Sequence, residues 1–183
     1  MAQLLDWTII PNNPSETNVI PEDNSYSYDL FNITDSQCLV YGHRPGNNIN
    51  LRWGDPGNSD NIRFRRESGS TEPIKFEEPI AIHIRQGNFL VYQRGRAGIN
   101  LGWANTPKFE WRILGGKAGD VIVTGKKVGL YSTVEKDSLM YEPRDWGINL
   151  KWFKDSGKFG DISKLINAGK IVRDVFEMVS EKK

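Results

Sequence analysis

The sequence predicts an all-β fold of three repeats, each of about 50 residues and four strands, followed by one C-terminal amphipathic α-helix. Three observations predict it. Aromatic residues make up 11% of the 183 residues, with six Trp and 18 Gly, a balance that favours short strands and tight turns. One pattern, L-[VM]-Y followed by a turn-rich linker and then I-N-L-x-W, occurs three times, and its closing residues Trp53, Trp103 and Trp152 lie 50 and 49 residues apart. Within each I-N-L-x-W the apolar residues sit at i, i+2 and i+4, the period of a strand.

Each repeat is built around a hairpin. In the first, Cys38–Tyr41 leads through GHRPGNN to Ile49–Trp53. In the second, Phe89–Tyr92 leads through QRGRAG to Ile99–Trp103. In the third, Ser138–Tyr141 leads through EPRDWG to Ile148–Trp152. The linkers are rich in Gly, Pro, Asn and Asp, the residues that tolerate or preset turn conformations. A further strand precedes each hairpin: Tyr26–Leu30, Ile80–Ile84 and Val128–Tyr131. A closing strand follows the first (Ile62–Arg65) and the second (Phe109–Ile113), but none follows the third. Leu5–Ile9 has the alternation of Phe109–Ile113, with Trp7 matching Trp111, so the N-terminal strand is expected to close the third repeat. Beyond it, Ile162, Leu165, Ile166, Gly169, Val172, Val175, Phe176 and Val179 follow 3–4 spacing, with Asp161 as N-cap. The organisation read from this is a repeat domain over 1–155 and a helical extension over 156–183. The extension packs on the domain or forms an interface with a second copy or a partner protein.

Twelve short strands need closure to hide their edges. With that repeat length, strand count and Trp placement, the chain resembles the β-trefoil superfamily, in which a six-stranded barrel is capped by three hairpins. It is distantly similar to the ricin-B-like lectins. Their Q-x-W motif is half present: Trp7 and Trp111 stand in the closing strands, but Leu5 and Phe109 occupy the Gln position. The resemblance implies a carbohydrate-binding protein, a defence or toxin-associated module whose partners are glycans or glycoproteins. Two other trefoil classes stay open. Protease inhibition would use one rigid loop, Gly54–Asn58 or Gly115–Gly119, the second of which reads as too flexible. A protein-interaction trefoil would use the helix.

Composition bounds these readings. With 24 basic and 23 acidic residues the net charge is +1, which argues against nucleic acid as a partner. Residues 1–43 hold six acidic residues and no Lys or Arg, leaving +7 on the remainder; a mixed solvated surface accounts for this. Hydrophobic residues make up 38% and mean hydropathy is −0.53, so a soluble chain without a transmembrane segment is expected. The start, MAQLLDWTIIPNNPSE, lacks a signal-peptide pattern, and Cys38 is the single cysteine, so a cytoplasmic setting or leaderless secretion is expected. Asn32-Ile33-Thr34 is a formal glycosylation sequon of little meaning in that setting.

No HExxH, CxxC, GxSxG or P-loop pattern occurs, and His43 and His83 are the only histidines. We therefore expect no enzyme, no cofactor and no metal site. The candidate ligand-binding residues cluster in the three linkers: Arg44 and Asn50; Arg94, Arg96 and Asn100; Arg144, Asp145, Trp146 and Asn149. Planar amide and guanidinium donors beside an aromatic face suit sugar hydroxyls. Each residue also has a plainer role. The asparagines can satisfy backbone groups of their own hairpins, the arginines can serve solubility, and Trp146 can fold back on its loop. Trp146 has no counterpart in the other two linkers.

Overall fold

A computed structural model describes residues 5–21, 26–44, 49–57, 62–84, 88–95 and 98–156. The expected C-terminal helix lies outside these residues, as does Arg96. Among the described residues the protein is all-β, with twelve antiparallel strands and one closing 3-10 turn at Phe153–Ser156. No helix among them is long and apolar enough to cross a membrane. In chain order the strands are β1 Trp7–Pro11, β2 Tyr28–Asn32, β3 Gln37–Tyr41, β4 Leu51–Gly54, β5 Arg63–Arg66, β6 Ile80–Ile84, β7 Asn88–Tyr92, β8 Leu101–Ala104, β9 Trp111–Leu114, β10 Lys127–Ser132, β11 Asp137–Tyr141 and β12 Leu150–Trp152.

Six of these strands pair in a cycle. β1 pairs with β2 and β10, β10 with β9, β9 meets β6 at Ile80–Trp111, and β6 pairs with β5. The cycle is completed where Ile62, just ahead of β5, bridges Tyr28 of β2 through two backbone hydrogen bonds of 2.8 and 2.9 Å. The hairpins β3–β4, β7–β8 and β11–β12 extend from β2, β6 and β10.

Two indoles show how the N-terminal strand fits. Trp7 Nε1 donates to Leu139 O of the third hairpin at 2.8 Å, and Trp111 Nε1 donates to Leu90 O of the second at 2.7 Å. Both rings are fully buried. β1 thus stands to the third hairpin as β9 stands to the second. The buried Asp6 fastens the same strand further, accepting from Tyr141 N at 2.7 Å, from Asn32 Nδ2 at 2.8 Å and from the Thr34 hydroxyl. Asn32 is therefore sealed in the interior, and the sequon cannot be glycosylated once the chain is folded.

Sequence reasoning missed a second triangular feature. Val19, Ile74 and Ile122 belong to no strand, yet all three are fully buried. Their backbones are linked head to tail: Val19 N to Ile122 O at 3.0 Å, Ile122 N to Ile74 O at 2.9 Å and Ile74 N to Val19 O at 2.7 Å. Each side chain joins the main core with Ile9, Leu30, Phe64, Ile82, Ile113 and Leu130. A smaller cluster of Ala81, Phe89 and Val91, bordered by Ala104 and Phe109, covers the other face of β6 and β7, with the His83 ring stacked on Phe89 at 4.8 Å.

The strand limits differ from expectation in a regular way. β4, β8 and β12 begin at Leu51, Leu101 and Leu150, two residues later than the I-N-L-x-W alternation implies. The cause is an i→i+2 hydrogen bond across each Asn: Leu51 N to Ile49 O at 2.8 Å, and Leu101 N to Ile99 O and Leu150 N to Ile148 O, each at 2.7 Å. The Ile side chains still pack on the core, but the backbone there is a tight turn. β2 likewise runs Tyr28–Asn32 rather than Tyr26–Leu30, because its pairing partner β1 continues it to Asn32 opposite Trp7.

Truncating the buried triangle should be expensive. Ile74→Ala is expected to lower unfolding free energy by about 2–4 kcal/mol in urea titrations, while Val134→Ala, at a position 52% exposed, stays within about 0.5 kcal/mol.

Candidate functional site

The hairpins are locked to one another by aromatic contacts that repeat around the molecule. The Tyr that ends the first strand of each hairpin meets the Trp of the next. Tyr41 lies against Trp103 at 5.6 Å, Tyr92 against Trp152 at 6.2 Å, and Tyr141 against Trp53 at 5.6 Å. Trp53 and Trp152 also stack on Trp7 and Trp111, at 6.0 and 6.3 Å. Aromatic pairs of this kind contribute about 0.5–1.5 kcal/mol each beyond the area they bury. They carry the three hairpin loops to one end of the molecule.

The three asparagines act as latches in these loops. Asn50 Oδ1 accepts from Arg44 N, Asn100 Oδ1 from Gly95 N and Asn149 Oδ1 from Arg144 N, at 3.1, 3.2 and 3.1 Å. Their backbone carbonyls accept from the residue after each Tyr: Gly42, Gln93 and Glu142. Asn50 and Asn149 also donate to the hydroxyls of Tyr41 and Tyr141, both at 3.4 Å. Each amide oxygen is therefore occupied within its own hairpin, which makes these residues the frame of the site.

The latch also sets the true register of the arginines. Arg44 and Arg144 hold equivalent positions, and the second loop places Gly95 there. Arg94 falls one residue earlier, opposite His43 and Pro143, so the threefold arginine pattern suggested by the linkers reduces to a pair plus an offset residue. Arg94 is exposed, and its positive charge acts on the Tyr92 hydroxyl. That phenol is nonetheless raised above the ordinary Tyr range, chiefly because it donates to the Glu135 carboxylate.

Arg44, Arg144, Asp145 and Trp146 come together where the loops meet. Arg44 Nη2 reaches across to Gly147 O at 3.1 Å, joining the first loop to the third. Arg144 Nη1 donates to Leu150 O at 3.2 Å, and its guanidinium carbon lies 5.2 Å from the centre of the Trp146 ring. Gly98 of the second loop adopts a left-handed φ of 92°, and a β-carbon there would lie 3.9 Å from Cζ3 of Trp146. Trp146 is thus flanked by all three loops and is still 54% exposed, the most exposed large apolar side chain among the described residues. Asp145 beside it is exposed, while the neighbouring Glu142 is held by Lys151 at 2.5 Å.

The two loops considered for protease binding are both anchored. The buried Asp29 accepts from Gly57 N at 2.7 Å, and burial raises that carboxyl above the usual Asp value even though this hydrogen bond pulls it down. The glycine-rich loop meets Phe76 at two points. Gly116 is pressed on Phe76, where a β-carbon would come within 2.2 Å of the ring, and Gly119 N donates to Phe76 O at 3.2 Å. Cys38 is fully buried, and burial, helped by the negative charges of Asp29 and Asp55, pushes its thiol up to about 12. His43 is exposed, and no group of three or more His, Cys, Asp or Glu among the described residues is placed to hold a metal ion. Compared with known proteins, the chain matches no family model, no curated protein and no solved structure.

Two outcomes follow from this geometry. Asn149→Ala, which leaves Arg144 N without its acceptor, should destabilise the protein by about 1–2 kcal/mol in chemical denaturation, and Asn149→Asp, which keeps an acceptor oxygen, should recover most of it. A thiol reagent at neutral pH should leave Cys38 unmodified in the folded protein and label it fully in denaturant.

Proposed function

We propose that this chain is a β-trefoil lectin: a non-enzymatic protein that binds carbohydrate at the end where its three hairpin loops meet. The trefoil reading is supported by the cyclic pairing of β1, β2, β5, β6, β9 and β10, by the three hairpins extending from that cycle, and by the triangle of Val19, Ile74 and Ile122. In this reading residues 1–155 form the trefoil, with the N-terminal strand supplying the last piece of the third repeat, and the helix expected beyond them lies outside the described residues. The ricin-B-like likeness rests on the closing-strand Trp residues alone. The role proposed with it is a defence or toxin-associated one.

One observation carries the carbohydrate reading: the exposed indole of Trp146, braced by Arg144 and bordered by Gly98 and Arg44. A sugar ring offers one apolar face of C–H groups and an edge of hydroxyls. A rigid aromatic surface takes the face, and planar donors beside it take the edge. Arg44, Arg94, Arg144 and Asp145 are the polar ligands in this reading, and Asn50, Asn100 and Asn149 hold the loops that present them. The three loops differ in sequence, so the pole acts as one composite site rather than as three equal ones.

A second reading has its own observation. The Asp29 anchor under Gly57 gives the Gly54–Gly57 loop the rigidity that a β-trefoil protease inhibitor requires.

A glycan array probed with the purified protein separates them. Binding to a defined glycan set is expected, weakened about tenfold by Trp146→Ala, with less than about 1 kcal/mol lost in stability. No glycan bound, together with nanomolar inhibition of papain-like or trypsin-like proteases, would sink the lectin reading in favour of the inhibitor. A large fall in melting temperature for Trp146→Ala would show that the indole is a packing residue.

A further inference from the structure

We infer that the ligand at the hairpin-loop end is an anionic saccharide, one carrying a carboxylate or sulfate group. This rests on the carbohydrate reading above and specifies its chemistry. Described residues of the three loops and their flanks supply Arg44, Arg52, Arg94, Arg144 and Lys151. Most carboxylates around the loop bases are engaged: Glu142 holds Lys151, Asp35 and Glu135 accept the Tyr141 and Tyr92 hydroxyls, and Glu110 and the buried Asp6 accept from Tyr92 N and Tyr141 N. Asp145 is exposed beside Trp146, so what favours an anion is the pair of guanidinium forks of Arg44 and Arg144 near the indole rather than a net local charge.

The geometry suits an anion beside a sugar ring. Arg144 lies over the ring of Trp146 while the indole keeps about half of its surface open to a ligand. Gly147 O takes one N–H donor of Arg44, and Leu150 O takes one of Arg144. A guanidinium has five such donors in a planar fork, the shape that matches a carboxylate or sulfate. With the ring seated on Trp146, its anionic group meets the forks of Arg144 and Arg44. A neutral sugar would leave the remaining donors of these forks without an ionic partner and would bind less well.

The test uses the full chain on arrays holding neutral, sialylated, uronate-containing and sulfated oligosaccharides, at low and high salt. Binding is expected on acidic arms, and the sialylated, uronate and sulfated arms identify which anion is taken. Affinity should fall at high salt, because the attraction is screened. Arg144→Gln should weaken acidic-glycan binding about ten- to a hundredfold, and Arg144→Lys, which keeps the charge but loses the fork, should recover only part of it. Arg65→Gln, at an exposed site on β5, removes the same charge and should leave binding as it was. Inorganic sulfate alone should compete weakly, since it lacks a ring for Trp146. Neutral glycans bound as tightly as acidic ones, or no response to Arg144→Gln in a variant that melts normally, would overturn the anionic specificity and leave the lectin reading standing. Absence of binding on every arm overturns both.

Discussion

Two backbone hydrogen bonds between Tyr28 and Ile62 tie the residue ahead of β5 back to β2. Strands of three to six residues are too short to be stable with open edges, and an unpaired edge also invites association with other chains. β5, with the sequence Arg63-Phe64-Arg65-Arg66, contributes one fully buried side chain and is the weakest member of the cycle. Without the bridge, β5 and the start of β2 would each be open on one side, although β2 would still pair with β1 and β3. The end where the loops meet depends on that closure, because the Tyr–Trp contacts need all three hairpins at fixed angles.

Repetition and function part company in this molecule. What recurs three times is framework: the Tyr–Trp pairs, the Asn latches, the i→i+2 turns and the buried Val–Ile–Ile triangle. The proposed site draws on what does not recur. Trp146 is unique, Arg44 and Arg144 have Gly95 as their third counterpart, and Gly98 beside the indole edge takes a left-handed φ that favours glycine. The recurring contacts hold the hairpins in place, and the residues that do not recur carry the proposed site.

The hairpins and closing strands were legible because alternation of apolar residues is a direct record of which face is buried. The N-terminal position of the twelfth strand was legible from the match between Leu5–Ile9 and Phe109–Ile113. Three features were not. Val19, Ile74 and Ile122 are joined by single backbone hydrogen bonds outside any strand, which leave no periodicity to detect. The late start of β4, β8 and β12 was hidden because Ile49, Ile99 and Ile148 bury their side chains while their backbones turn; burial pattern and backbone conformation disagree there. The asparagines were visible as a repeat, but residue type alone could not separate an amide facing a ligand from one facing its own loop. The register slip at Arg94 was invisible for a related reason, since linkers of unequal length align only through the hydrogen bonds they make.

β1 pairs early with β2 on one side and late on the other. Trp7 donates to a carbonyl 132 residues further along the chain, and Asp6 accepts from a backbone N–H 135 residues away. At roughly 5–20 residues per second of synthesis, on the order of ten seconds pass before those partners leave the ribosome. During that interval β1 has β2 to pair with, but the Trp7 indole lacks its acceptor and the other edge of β1 lacks β10. The circular offset of the chain thus makes its biogenesis a waiting problem: the completed protein has no bare β1 edge, but every nascent copy passes through a stage that does, and this favours slow, chaperone-sensitive folding over rapid closure.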